Sequence, residues 1–487
     1  MKLDDFLVKT YGYNPDVKNV IQTYIDQWKS WYQGNVKSFH NYFIYNGDRK
    51  VKQKRYTMNM AKEISEDWSD ILWSEKCEIN MKDESSQKDF DKLVDMLDLY
   101  VIINKAIEKS GALGTCGTVV GVYDLIEQND GAVLDVSKAK TRIDLVDVDW
   151  IYPLSWNNKE IIDCAFGSVE YKNGQKYVIL SVHKKDEKTN IYHIYNHLFR
   201  CTDNNGNLQE ITNQDGDVKP DFDTMSETPW FAIFKPLLTN NLYENNPFGI
   251  SHYANAIDNL KAVDISFDAI KNEIQDGRRR TFVRAELMNY DSGTQRLTFD
   301  PNDTTIYQLP TGATKDDLIQ NDSDDLRTDK QIATLNMNLN MLGNKVGFGE
   351  NHYHFYGTNL STATAVVSSN SKLFRRKKKL EIGYESSIYN LVNAVCYAST
   401  KFGSYNINTE DMVVQFDDSI IEDKEAESNR AMREVSAGLI SKVEYREKIF
   451  GETPEIAQQE IQKIKEEDPN IDDLLGTKDS IVRKEND

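Results

Sequence analysis

"NPFGISHYANAIDNLKAVDISFDAIKNEI" occupies residues 246–274. Tyr253, Ala256, Leu260, Val263, Phe267, Ile270 and Ile274 recur at the three-to-four spacing of one helix face, with Asp258, Asp264, Asp268 and Glu273 on others. The pattern predicts a helix over roughly 249–280. So continuous a stripe cannot stand alone in water and must pack on neighbours. "RTFVRAELM" (280–288) and "TTIYQL" (304–309) then read as strands, with turn chemistry in "FDPND" and "LPTG". A second helix opens near Leu326 and carries Ile332, Leu335, Leu339, Leu342 and Val346 on one face. Two helices of similar length therefore flank a small module: a stalk with a tip.

Past Gly347, "GENHYHFYGTNLST" is glycine-bounded, aromatic and polar, a loop by composition. A helix follows over about 361–400, with Val366, Leu373, Leu380, Tyr384, Ile388, Leu391 and Val395 in its stripe. The strand "DMVVQF" comes next, then two or three helices in 423–466. Thr453-Pro454-Glu455 is a helix start, with a capping hydroxyl, proline at the first helical position and an acid near the positive dipole end.

Toward the N-terminus, residues 117–235 hold short β-branched and aromatic runs between Asn, Gly and Asp turns, an antiparallel β region with a hairpin tip at "DNNG" (203–206). Before it the chain is helical. Val17, Ile21, Tyr24, Trp28 and Trp31 share one face, and Met60, Ile64, Trp68, Ile71 and Leu72 another. A third helix is expected over 86–110, ending at Gly111.

The fold class is therefore α+β, mainly helical, with 39% hydrophobic residues to build cores over 487 positions. That length fits about three domains, or one elongated body with appendages. The net charge of −20 excludes a general nucleic-acid coat, which presents a broad basic face. No run is apolar for long enough to span a bilayer, and Asp4 and Asp5 interrupt any secretory start. Five scattered cysteines without a CxxC pair read as buried thiols of a reducing cytoplasm.

The order of elements resembles the portal proteins of tailed bacteriophages, particularly the siphophage type. The resemblance is carried by "NKAIEKSGALGTCGTVVGVYD" (104–124), by 246–274, by "NLSTATAVVSSNSKLFRRKKKLE" (359–381) and by "SAGLISKVEYREKIFGETPEIAQQEIQKIKEE" (436–467). It implies a portal fold with wing, stem, clip, tunnel loop and crown. On this chain the wing would be 1–248, the stem helices 249–280 and 326–347, the clip 281–325 and the tunnel loop 348–360. Residues 361–425 would return to the wing, 426–467 form a short crown, and 468–487 a flexible tail. The implied assembly is a ring, usually of twelve subunits, at one vertex of the capsid in the virion, assembled in the host cytoplasm. It would nucleate head assembly and pass double-stranded DNA non-specifically during packaging and ejection. Its implied partners are the terminase large subunit, the head-completion adaptor, and the scaffolding and major capsid proteins. No enzymatic activity, cofactor, metal or membrane is expected. The rival readings are another virion structural protein, such as a minor head or adaptor protein, and an enzyme with a β-domain active site, for which no nucleophile–base or metal constellation is present.

Several clusters invite a function. Arg375, Arg376, Lys377, Lys378 and Lys379 are consecutive, so at 100° per residue they encircle their helix and form no single basic face. They are expected to pair with acidic surface of the same or a neighbouring subunit rather than with DNA. Glu350, Asn351, His352, Tyr353, His354, Phe355, Tyr356 and Asn359 would form the loop at the DNA channel; it carries no lysine or arginine. Its HxH pair is too small for a closed zinc site. Asp258, Asp264, Asp268 and Glu273 would make an acidic stem lumen that repels the duplex. Arg278, Arg279 and Arg280 either complement a helix C-terminus or meet phosphates and adjacent clips at the stem–clip junction. The glycines of "SGALGTCGTVVG" fall after a helix and before a strand, the reverse of a phosphate loop, and read as a helix C-cap. In "IDLVDVDW", Asp147 and Asp149 are expected on one solvated strand face and Asp144 on the other.

Overall fold

A computed structural model describes residues 1–46, 49–123, 126–127, 133–135, 140–157, 160–202, 206–211, 221–277, 280–284, 289–291, 296–298, 306–309, 319–322, 326–354, 363–417 and 424–467. Among the described residues helix is the dominant element. The chain divides into two compact units: Met1–Gly357 with Arg375–Phe416, and Thr358–Phe374 with Asp417–Asp487.

The first unit begins with α1 (Leu3–Tyr11), α2 (Asp16–Tyr32) and the single turn α3 (Lys37–His40). A two-stranded hairpin follows, β1 (Asn41–Asn46) paired antiparallel with β2 (Arg49–Lys54). Its apolar first strand and basic second strand do not alternate cleanly, and sequence periodicity missed it. Then come α4 (Met60–Leu72), α5 (Glu84–Leu97) and α6 (Leu99–Leu113). The single helix expected over 86–110 is two helices, because Asp98 takes a left-handed conformation (φ 50°) between them. Asp tolerates that conformation better than most residues, and it turns the chain.

Two sheets follow. Strands Ile151–Trp156, Ile161–Lys172, Gln175–Lys185, Tyr192–Cys201 and Leu208–Ile211 form an antiparallel meander, with Asp221–Asp223 also pairing to Tyr192–Cys201. Phe6 and Leu7 of α1 cover one face of it, burying Tyr152, Val178, Leu180, Val182 and Phe199. The second sheet sets Cys116–Tyr123 between Phe231–Phe234 and Lys140–Asp147. The strand ends at Asp147 and a 3₁₀ turn carries Asp149 away, so the two carboxylates do not share a strand face. Instead Asp147 pairs with Lys109 and Asp149 with Lys29.

The first stalk helix is α7 (Ile257–Asp276), shorter than expected, and the second is α8 (Thr328–Val346). Residues 249–256 are not helical because they dock on the end of α6. The N–H of His252 donates to the Gly111 carbonyl at 2.8 Å, and the Gly249 N–H to Thr115 Oγ1 at 3.0 Å. Gly249 is required there, since a Cβ would sit 2.3 Å from the Gly114 carbonyl oxygen. Gly114 itself is left-handed (φ 81°) and caps α6.

Between the helices, Arg280–Arg284 is central in a three-stranded sheet, parallel to Ile306–Leu309 and antiparallel to Ile319–Asp322. A hairpin of Asn289–Asp291 and Arg296–Thr298 lies beside it in sequence. The insert thus has more strands than the two expected.

Helix α9 (Ala363–Phe402) contributes residues to both units, and its second half is core: Leu380, Tyr384, Ile388, Leu391 and Val395 are fully buried. Strand Val413–Gln415 closes the first unit by pairing with Glu78–Asn80. All five cysteines are free thiols, four of them buried.

The second unit holds α10 (Lys424–Ser436), α11 (Lys442–Phe450) and α12 (Pro454–Glu467). Ser441 and Glu444 form a capping box at the start of α11, left-handed Gly451 ends it, and Pro454 opens α12. Arg446 forks onto Glu452 through two hydrogen bonds of 2.7 and 2.6 Å. Residues 468–487, expected as a tail, lie outside the described residues.

Candidate functional site

The stalk and the loop after it are the features that organise the molecule. Helices α7 and α8 pack along buried Leu260, Val263, Leu335, Leu339 and Leu342. Asn338 Nδ2 donates across to Ser266 Oγ at 2.7 Å. At the insert end, Glu273 takes hydrogen bonds from Arg327 Nε (3.1 Å) and Nη2 (3.0 Å), from the Arg327 N–H (3.0 Å) and from Gln331 Nε2 (3.0 Å). This caps the start of α8, where backbone N–H groups lack partners, and the arginine's hydrogen bonds hold the Glu273 carboxyl below its usual range. Ile274, expected in the buried stripe, is exposed.

Two of the four carboxylates expected to line the stem, Asp264 and Asp268, are not solvated. Asp264 and Asp268 are buried, because the root of the β1–β2 hairpin packs on their side of α7. Asp264 accepts from His40 Nε2 (3.0 Å) and the Met58 N–H (2.9 Å). Asp268 accepts from the Tyr42 hydroxyl (3.1 Å), the Tyr56 N–H (3.1 Å) and Lys271 Nζ (2.6 Å). Burial raises the Asp268 carboxyl, but these donors outweigh it and bring it below its usual range. Both carboxylates are thus engaged within the chain. Of the four, Asp258 has an open side chain, and its neighbour Lys261 is 2.9 Å away.

The loop leaves α8 through left-handed Gly347 and doubles back on it. Phe348 lies between Trp68 and His352 in a stack, with centroids 4.5 and 4.3 Å away and interplanar angles of 22° and 5°. The Tyr353 hydroxyl donates to Asp67 at 2.7 Å, and the Asn351 N–H to Asn340 Oδ1 at 3.0 Å. His354 bonds Asn351 at 3.0 Å, so the two histidines turn to different partners. Burial, then the Asp67 charge, pushes the Tyr353 phenol far up, leaving it a neutral donor. Glu350 is exposed; Phe355, Tyr356 and Asn359 lie outside the described residues.

The five consecutive cations do encircle α9. Arg375 and Lys379 are exposed, Lys378 is half-buried, and Arg376 turns inward against Gly347, where a Cβ would meet its Cγ at 2.9 Å. Lys377 is fully buried on Glu381, 2.7 Å away, and Lys378 reaches the same carboxylate at 3.2 Å. Part of the block is thus used inside the chain. Arg278 and Arg279 lie outside the described residues; Arg280 starts the central insert strand.

Sequence reading missed the hairpin root and the Trp68–Phe348–His352 stack; Trp68 stood out only as part of the apolar stripe of its helix. Among the described residues, no three His, Cys, Asp or Glu side chains gather as metal ligands, and no helix is long and apolar enough to cross a membrane.

A stalk of two locked helices with a small β head at one end and a clamped aromatic loop at the other fits the class of phage portal proteins. Residues 15–473 match a family model for that class, and the chain belongs to the family the model describes: phage portal protein, SPP1 Gp6-like. No curated protein matches the chain. The family is structural, a component of the virion capsid organised as an oligomeric ring.

Proposed function

We propose that this chain is the subunit of the ring-shaped DNA channel at the unique capsid vertex. Twelve copies would nucleate head assembly with scaffolding and major capsid proteins, dock the terminase large subunit, and pass double-stranded DNA during packaging and ejection. The head-completion adaptor would bind afterwards. On this reading residues 1–248 are the wing, 249–280 and 326–347 the stem, 281–325 the clip, 348–360 the tunnel loop and 426–467 the crown.

The observation that carries the reading is the α7–insert–α8 unit. Its helices are tied at the insert end by Glu273 and Arg327, and its far end runs into a loop stacked on Trp68. Such a unit keeps its length under load while holding a head and a loop apart. Residues 347–360 contain no lysine or arginine. Phosphate contacts make DNA binding strong and salt-dependent, so a loop without lysine or arginine guides a duplex without trapping it. Hydrolysis of ATP would belong to the motor.

Electron microscopy of the purified protein, with two-dimensional class averages, tests this. Rings with a central hole are expected. Closed assemblies without a channel overturn the reading in favour of another virion structural protein.

A further inference from the structure

The β1–β2 hairpin carries "RKVKQKR" (49–55), five cations in seven positions of a chain with net charge −20. Its register sets Asn41, Phe43 and Tyr45 opposite Lys54, Lys52 and Lys50. Residues two apart in a strand share a face, so one side of the ribbon is a row of three lysines beside two aromatic rings. Phe43 is 50% exposed and Tyr45 75%, and Lys50 Nζ lies 4.2 Å from the Phe43 ring centre. Among the described residues no third strand pairs with the ribbon. Two-stranded hairpins are marginal alone, yet the root of this one is pinned by Asp264, Asp268 and the Arg55 N–H on the His40 carbonyl (2.7 Å). Among the described residues no carboxylate pairs with Lys50, Lys52 or Lys54. A rigidly rooted ribbon with a bare apolar and basic face is shaped for a partner.

We propose that this partner is a second copy of the chain: the lysine–aromatic face of the hairpin docks on the acidic ridge of α4 in the neighbouring subunit. The inference rests on the ring reading above. Contacts around a ring are head-to-tail, so the two halves of each interface are different patches of one chain. The ridge supplies the opposite half. Glu63, Glu66 and Asp70 are exposed at spacings of three and four on one side of α4. Lys62 answers Glu66 from the same helix, and Asp67 beside them is taken by Tyr353. Three carboxylates over about 10 Å of helix match three lysines over about 14 Å of strand. A DNA backbone would also attract the lysines, but it offers no cover for Phe43 and Tyr45.

Carbodiimide coupling on rings assembled from mixed ¹⁴N- and ¹⁵N-labelled protein tests the contact directly. Crosslinks between the 49–55 and 60–72 peptides of differently labelled copies are expected. The triple variant Lys50→Glu/Lys52→Glu/Lys54→Glu, with unchanged near-UV circular dichroism, is expected to lower the ring fraction at least tenfold at physiological salt. Mixing it with Glu63→Lys/Asp70→Lys protein should restore rings. Rings whose hairpin lysines couple to other carboxylates, or to none, overturn the inference and leave the ring reading intact. Unchanged rings with lost DNA retention in a gel shift overturn it in favour of nucleic acid. Protein that never self-associates overturns both.

Discussion

His40 Nε2 donates to Asp264 Oδ2 at 3.0 Å between two buried side chains, while His40 Nδ1 accepts the Val36 N–H at 2.9 Å. The imidazole therefore has one donor and one acceptor, both used. Through it, a helix of the C-terminal half of the first unit fixes the start of a hairpin more than two hundred residues earlier.

Removing Asp264 strips partners from His40 and the Met58 N–H at once. Asp264→Ala is expected to cost about 2–3 kcal/mol, since buried donors are left unmet. Urea unfolding gives the loss, and hydrogen exchange should show it first in 36–58. Loss spread evenly over the unit would contradict the anchoring role.

Lys377 and Lys379 are two residues apart yet differently placed. Lys377→Ala leaves Glu381 buried with a weakened partner set and is expected to cost about 3–5 kcal/mol. Lys379→Ala, on the exposed side, should stay within about 0.5 kcal/mol. The double variant Lys377→Met/Glu381→Met should be close to wild type in melting temperature, because a packed apolar pair replaces a buried ion pair with little penalty.

Acid should unfold the first unit through its buried histidines. Burial lowers His183 from 6.5 to about 3, and burial with the Arg376 charge does the same for His252. Below pH 6.5 the unfolded chain takes up these protons and the folded chain does not, so stability is full above 6.5 and falls as pH drops toward 3. Each histidine contributes about 1.4 kcal/mol per pH unit in that window. His183 lies between Phe166 and Phe231, with ring centres 5.5 and 5.4 Å away. His183→Phe should therefore fold and show a shallower slope in urea midpoints measured from pH 7 to 4.

Gly249→Ala places a methyl 2.3 Å from a backbone oxygen that cannot swing aside. A cost of about 1–3 kcal/mol is expected from overpacking, read as a lower melting temperature. Gly174→Ala offers the contrasting case: nothing lies within 4 Å of its added Cβ, so its left-handed φ of 76° supplies the only penalty.

What sequence determined here is whatever repeats along the chain. The stripes of α2, α4, α8 and α9 could be read because a helix facing a core must place apolar residues every three or four positions. Pro454 marked a helix start because its backbone preference is local, whereas the helix end expected at Gly111 falls three residues later, at left-handed Gly114. Tertiary structure decided what local pattern does not contain. Asp264 and Asp268 look like solvated charges on an amphipathic helix, and only the hairpin packed over them makes them core. Consecutive cations at 375–379 look alike, and only Glu381 and Gly347 separate the buried from the exposed. A charge is affordable inside a protein only where distant chain brings donors to it, and such donors leave no period in the sequence.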